Sequence, residues 1–162
     1  MKRISQTSFE EFLFDRGADR SGILPYCRRG NKEVWLMGLG RGKENFYLSD
    51  FGGGCEIIAG FLETPLQCCI REVDEESSGQ LTEPILTSLQ DEIGLEIYKI
   101  ENKLQKSYLL RVEIPYADYS SEFQANEEIL SLIWVDRSEI LSQLSTPEKV
   151  HFQLFDFLDW FL

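Results

Sequence analysis

Hydrophobic residues recur with helical spacing between residues 64 and 77 of this 162-residue chain. They fall at i, i+3, i+4 and i+7, and they are Leu66, Cys69, Ile70 and Val73. This spacing predicts an amphipathic helix with one apolar stripe. Thr64 is an N-cap residue, and Gln67 three positions later completes a capping box. Pro65 fits the first helical position and Gly79 fits a left-handed C-terminal position, so both ends of the helix are signalled.

The rest of the chain alternates short apolar runs with turn residues, which predicts a mixture of strands and helices. A short helix is expected over residues 8–15 with Ser8 as its N-cap, and loops are expected over 17–22 and 41–60. Strands are expected over residues 23–27, 34–38, 95–100, 108–114 and 129–135. Further helices are expected over residues 85–92, 138–144 and 147–162. No repeat or linker divides the sequence, so residues 1–162 are predicted to form a single domain.

The final segment carries apolar residues on more than one side of its predicted helix. Residues 150–162 include four phenylalanines, three leucines and Trp160. A helix of this kind packs fully inside its own domain or buries its second side against another copy of the chain. A homodimer is therefore one expected assembly.

The acidic charge balance narrows the classes of partner. Asp and Glu outnumber Lys and Arg by 28 to 16, and the net charge is −12. Such a chain repels polyanions, which disfavours broad binding to nucleic acid or to anionic membranes. A phosphorylated ligand then needs a bound cation or a local basic patch. Arg41 and Lys43 belong to a group of basic residues ahead of the central helix and are candidates for that patch, although solvated turn charges are the commoner explanation.

Cysteine usage and the absence of long apolar runs indicate a cytoplasmic protein. The four cysteines are Cys27, Cys55, Cys68 and Cys69, and a chain of this length can build a core without disulfides. They are expected to be reduced thiols. No stretch of 18 consecutive apolar residues is present, so no membrane-spanning segment is predicted.

Three carboxylates share one side of the predicted central helix. Glu72, Glu75 and Glu76 stand at i, i+3 and i+4, which places them together and away from the apolar stripe. Like charges at this spacing repel, and a hard divalent cation bound by carboxylate oxygens would relieve the repulsion. Spacing alone favours the simpler explanation, in which these residues are the solvated face of an amphipathic helix.

The sequence around the helix favours the cation site over a merely solvated helix face. Glu63 is followed by seven residues and then by Arg-Glu-Val-Asp-Glu-Glu over residues 71–76, with three glycines ahead at 52–54. This segment resembles the Nudix box, which reads Gly, five residues, Glu, seven residues and Arg-Glu-aliphatic-x-Glu-Glu-x-Gly. The match is complete from residue 63 to residue 76. Two departures lie at its edges: eight residues separate Gly54 from Glu63, and Ser78 stands where the last glycine is expected, with Gly79 one position later.

The resemblance implies an α/β fold, a Nudix-type α/β/α sandwich with a mixed central sheet. It also implies metal-dependent hydrolysis of a nucleoside diphosphate linked to another moiety, such as a dinucleoside polyphosphate or a nucleotide sugar. By this resemblance Glu72, Glu75 and Glu76 would be ligands of Mg²⁺ or Mn²⁺, and a carbonyl near Gly53 would complete the metal shell. Arg71 would orient the glutamates by ion pairing.

Several roles stay open within the resemblance. The general base varies among Nudix proteins and is expected to be Glu72, with Glu127 or Glu128 as later candidates. Tyr98 is a candidate substrate-binding residue, because diadenosine-polyphosphate hydrolases of the family carry a tyrosine downstream of the box. The alternative function is a catalytically silent Nudix-fold domain that binds a nucleotide as a regulatory signal.

Overall fold

The computed structural model describes residues 3–42, 46–92, 94–144 and 157. Within these ranges the helices are α1 (Phe9–Phe14), α2 (Pro65–Glu76), α3 (Thr82–Gln90) and α4 (Arg137–Leu144). The strands there are β1 (Arg3–Gln6), β2 (Arg20–Arg29), β3 (Lys32–Arg41), β4 (Phe46–Ser49), β5 (Phe51–Gly54), β6 (Ile57–Ile58), β7 (Phe61–Leu62), β8 (Glu96–Glu101), β9 (Lys106–Glu113) and β10 (Ile129–Asp136).

One mixed sheet forms the centre of the fold. Its strand order is β1-β8-β9-β2-β3-β10, with β4 paired to β3 and β5 paired to β2. β2 and β9 run parallel and the other pairs are antiparallel. β5 pairs only with the first four residues of β2, where Arg20 stands opposite Gly54. The glycine-rich strand that leads to α2 therefore lies at one end of the sheet.

Side chains alternate between the two faces of this sheet, and both faces are buried. On β2, Ile23 belongs to one hydrophobic cluster and Leu24 to the other. The first cluster includes Val73 of α2 and Ile85 of α3, while the second includes Ile140 of α4. Because period-2 alternation sends successive side chains to opposite faces, helices must cover both sides. The architecture is the predicted α/β/α sandwich.

Most predicted elements are present, and the errors fall in the expected loops. Residues 17–22 contain the start of β2, and residues 41–60 contain β4, β5 and β6, so these loop predictions are wrong in part. β1 has no counterpart among the predictions. The strands missed are short, which leaves little periodicity to read. The predicted helix at 147–162 lies outside the described residues except for Phe157, which is helical and buried. None of the described helices has the length and apolar character needed to cross a bilayer.

The start of α2 follows the sequence signals. The Thr64 hydroxyl accepts a hydrogen bond from the Gln67 N–H at 3.3 Å, and the Gln67 side chain accepts one from the Thr64 N–H at 3.0 Å. This reciprocal pair is the predicted capping box. At the other end Ser78 and Gly79 both have positive φ values of 53° and 78°, so the helix ends where the sequence indicates.

The enlarged segment before Glu63 is a short hairpin. β6 and β7 pair with each other through a two-residue turn, in which Ala59 and Gly60 have φ values of 54° and 84°. Positive φ at both central residues is the requirement of a type I′ turn. The N–H of Glu56 donates to the Glu63 carboxylate at 2.9 Å, which closes the base of the hairpin. The extra residues are thus accommodated without displacing Glu63 from α2.

Candidate active site

Glu72 lies directly over the backbone of β5. A Cβ atom added to Gly53 would be 2.5 Å from Glu72 Oε1 and 2.6 Å from its carboxyl carbon. Nonbonded atoms do not approach that closely, so a side chain at position 53 would push the Glu72 carboxylate out of this place. The Cys68 thiol, also on α2, donates to the Gly53 carbonyl oxygen at 3.5 Å. α2 and β5 therefore meet at Gly53, the residue predicted to offer its carbonyl to a metal ion.

Arg71 connects α2 to the segment before it. Its Nε and Nη2 donate to the Glu63 carboxylate at 3.0 Å and 2.9 Å, and its Nη1 donates to Glu72 at 3.0 Å. Nη2 also donates to the Gly54 carbonyl oxygen at 3.0 Å. Burial acts to raise the pKa of Glu63, but the hydrogen bonds from Arg71 and from the Glu56 amide outweigh burial and hold that pKa below its ordinary value. Glu63, Arg71 and Glu72 form one hydrogen-bonded unit.

Glu76 points into the protein. Its side chain is 7% exposed, and its buried Oε1 has no hydrogen-bond partner within the described part of the chain. Burial raises the pKa of Glu76 to about 9, and the charges of Asp50, Glu72 and Glu128 act in the same direction. Buried polar atoms in proteins are nearly always satisfied, so an orphaned carboxylate oxygen calls for a missing partner. Because the neighbouring charges are negative, a cation is the partner that would suit this oxygen.

The predicted grouping of the three α2 glutamates is only partly correct. Glu75 is 60% exposed on its side chain and lies 3.5 Å from Arg71 Nη1. Glu76 was expected on the solvated side, but it stands three positions after Val73 and shares the buried side of the helix. Glu72, half-buried, also faces β5. The structure thus directs Glu72 and Glu76 toward one place and Glu75 toward solvent.

A loop ahead of β10 brings a further carboxylate to the same place. The Asn126 side chain donates to the Glu76 carbonyl oxygen at 3.1 Å and accepts the Glu128 N–H at 3.0 Å. Burial is the main cause that raises the pKa values of Glu72 and Glu76, and the negative charge of Glu128 acts in the same direction. Of the two later candidates for the general base, both are exposed, and Glu128 is the one whose charge acts on Glu72 and Glu76. We call Glu72, Glu76 and Glu128 the acidic cluster.

The predicted substrate-binding residues lie in different places. Arg41 is exposed at the end of β3, and its N–H donates to the Glu128 carbonyl oxygen at 3.1 Å. Lys43 lies outside the described residues. Tyr98 is 6% exposed within the second hydrophobic cluster, and its hydroxyl donates to the Glu96 carboxylate. The structure therefore places Arg41 beside the acidic cluster and Tyr98 in the core.

The chemistry of these residues fits a hard divalent cation. Carboxylate and carbonyl oxygens are the ligands that Mg²⁺ and Mn²⁺ prefer, and the orphaned Oε1 of Glu76 is available for such an ion. No group of three or more His, Cys, Asp or Glu side chains in the described ranges is already arranged around a metal position. Glu72 instead turns to Arg71. The residues that would hold the ion are Glu72 and Glu76, with Gly53 beside them.

Sequence reasoning missed a buried ion pair behind β5. Arg20 donates to the two oxygens of Asp50 at 3.0 Å and 2.8 Å, and the two side chains are 5% and 0% exposed. Gly22 faces Gly52 across the β2–β5 pair, and a Cβ atom on Gly22 would be 2.1 Å from Asp50 Oδ2. The glycines thus make room for the pair. No local pattern signals it, because thirty residues separate its members.

Comparisons with known proteins place these observations in a wider context. No protein-family model matches the chain, and a comparison with curated proteins finds no match either. Among solved structures, the chain is similar to a Caenorhabditis elegans Ap4A hydrolase at 14% identity and a TM-score of 0.51, over 86% of this chain and 92% of that one.

Two further structures align with lower scores. The Bacillus subtilis pyrophosphohydrolase BsRppH has 17% identity and a TM-score of 0.44, over 94% of this chain and 82% of that one. A Nudix hydrolase from Nitrosomonas europaea has 16% identity and a TM-score of 0.42, over 77% and 78% of the two chains. The described sandwich and the match to the C. elegans structure agree with the box resemblance at residues 52–79. The chain therefore has the Nudix fold.

Proposed function

We propose that the protein is a divalent-metal-dependent hydrolase of phosphoanhydride bonds. Its substrate would be a nucleoside diphosphate linked to another moiety. The observation that carries this proposal is the buried, unpartnered Oε1 of Glu76 next to Glu72 and Glu128. An acidic protein binds a diphosphate where a bound cation or a basic patch reverses its field, and this cluster is suited to hold a cation.

Each residue of the site then has a distinct role. Glu72 and Glu76 would bind the ion, which when bound accepts diphosphate oxygens and polarises the attacking water. Arg71 holds Glu72 in place through its 3.0 Å hydrogen bond and is itself fixed by Glu63. A carboxylate must take the proton from the water, and the candidates are Glu72 on α2 and Glu128 in the loop ahead of β10.

The surroundings of the cluster favour a nucleotide. Arg41 is exposed beside Glu128 and offers a guanidinium to a phosphate oxygen. The aromatic ring of Tyr47 lies against Gly40, the neighbour of Arg41. Burial is the main cause that raises the pKa of Tyr47, and the negative charges of Glu128 and Glu76 act in the same direction. An aromatic ring beside phosphate-binding groups suits a nucleobase.

The test is hydrolysis of a defined panel of compounds. Because the chain is similar in fold to an Ap4A hydrolase, the panel begins with diadenosine tetraphosphate and continues with nucleotide sugars, nucleoside triphosphates and capped RNA. We expect turnover of at least one compound with Mg²⁺ or Mn²⁺ and none after chelation. Tight nucleotide binding without product would instead support a silent regulatory domain. A protein that neither hydrolyses nor binds any compound of the panel would contradict both functions.

A further inference from the structure

The buried pair Arg20–Asp50 lies immediately behind the acidic cluster. A Cβ atom on Gly52 would be 3.0 Å from Arg20 Nη2, so the guanidinium packs against the backbone of β5. The backbone of the same Gly52 acts on Glu76, where it lowers the pKa of the carboxyl group against the effect of burial, and the charge of Glu76 acts in turn on Arg20. Arg20 and Glu76 therefore both lie beside Gly52.

This juxtaposition poses an electrostatic problem. A guanidinium has five N–H donors and pairs readily with carboxylates, and Glu76 has an orphaned oxygen close by. An arginine that turned to Glu76 would satisfy that oxygen and neutralise its charge. The site would then lose the vacant negative ligand on which a cation depends.

Asp50 prevents that alternative by its geometry. Its two oxygens accept hydrogen bonds from both terminal nitrogens of Arg20 at 3.0 Å and 2.8 Å, so the guanidinium would have to give up this bidentate pair to turn to Glu76. The Ser49 hydroxyl lies 3.3 Å from Asp50 Oδ1 and Gly22 leaves space for Oδ2, so Asp50 is held in one orientation. The pair is neutral as a unit and almost fully buried.

We propose that Asp50 is a positioning residue that sequesters Arg20, so that Glu76 stays free to bind a divalent cation. The inference rests on the proposed function, because it assigns a purpose to the vacant oxygen of Glu76. Arg20 and Asp50 would not touch the substrate. Their effect would reach the reaction only through the carboxylate of Glu76.

The experiment compares Mn²⁺ affinity, measured by electron paramagnetic resonance, in four proteins. They are the wild type, Asp50→Asn, the double variant Arg20→Met/Asp50→Asn, and the control Asp15→Asn, which removes a charge paired with Lys106 away from the cluster. We expect Asp50→Asn to weaken Mn²⁺ binding by about 10- to 100-fold, the usual cost of losing a group that supports a metal ligand. The double variant should bind within about threefold of the wild type, because it has no guanidinium left to compete.

The outcomes separate the two proposals. A wild-type protein that binds no Mn²⁺ would contradict the proposed function. If the wild type binds but Asp50→Asn binds equally well, only the role of Asp50 is wrong. The double variant gives an independent answer because it carries no unpaired buried charge and should fold even where Asp50→Asn does not. Weak Mn²⁺ binding by a folded double variant would overturn sequestration and indicate a structural role for the pair.

Discussion

Replacing Glu76 with glutamine should lower the rate of metal-dependent hydrolysis by about 10³-fold, in line with the loss of one strong electrostatic contact in an active site. The reason is that Glu76 Oε1 is a buried carboxylate oxygen without a hydrogen-bond partner among the described residues, and the proposed function makes it a ligand of the ion. Glutamine keeps the size of the side chain but removes its charge. The measurement is kcat/KM at saturating Mg²⁺ on the best compound of the substrate panel.

The same substitution should leave the metal-free protein at least as stable as the wild type. Because its pKa is raised to about 9 in the folded protein, Glu76 must take up a proton on folding near pH 7, and a neutral amide at position 76 removes that cost. Asp74→Asn is the matched control, since it removes one charge from the exposed side of α2 and should leave the rate near that of the wild type. A rate for Glu76→Gln within a few fold of the control would contradict metal binding by Glu76.

Replacing Arg71 with methionine should destabilise the fold by about 3 kcal/mol, the lower end of the cost of leaving a buried charge without its partner. Glu63, which is 3% exposed, would lose its bidentate ion pair, and Glu72 and the Gly54 carbonyl oxygen would each lose a donor. In a domain of this size such a loss lowers the melting temperature by about 6 to 12 °C. Thermal unfolding followed by circular dichroism measures it.

A second substitution distinguishes a lost ion pair from lost packing. The double variant Glu63→Gln/Arg71→Met removes both charges and should recover part of the stability, because no buried carboxylate remains unpaired. Arg16→Met is the control, since Arg16 is exposed and makes one hydrogen bond, to the Leu62 carbonyl oxygen. Equal melting temperatures for Arg71→Met and the Arg16 control would show that the Arg71 hydrogen bonds do not stabilise the fold.

The features that could be read from the sequence are those encoded within a few neighbouring residues. The capping box of α2 depends on Thr64 and Gln67, which are three positions apart, and both act as predicted. The pattern of residues 63–76 resembles the Nudix box and implies the fold without reference to any predicted strand. Local patterns succeed here because helix ends and helix faces depend on residues within one or two turns.

The features that could not be read depend on contacts between distant segments. Helical spacing from Val73 already puts Glu76, unlike Glu75, beside the apolar stripe, but the packing of α2 on β2 and β5 determines that a carboxylate there is buried. The Arg20–Asp50 pair needs two strands in register before it exists. The hairpin β6–β7 was missed because Ala59–Gly60 is not one of the common type I′ turn sequences.

The most direct test of the central claim is anomalous X-ray diffraction from crystals grown with Mn²⁺. The claim is that the vacant oxygen of Glu76 belongs to a divalent-cation site shared with Glu72 beside Gly53. We predict a strong anomalous peak within about 2.5 Å of a carboxylate oxygen of Glu76, the distance of oxygen ligands from hard divalent cations. The absence of a peak there, or ordered Mn²⁺ bound only elsewhere on the chain, would contradict the claim.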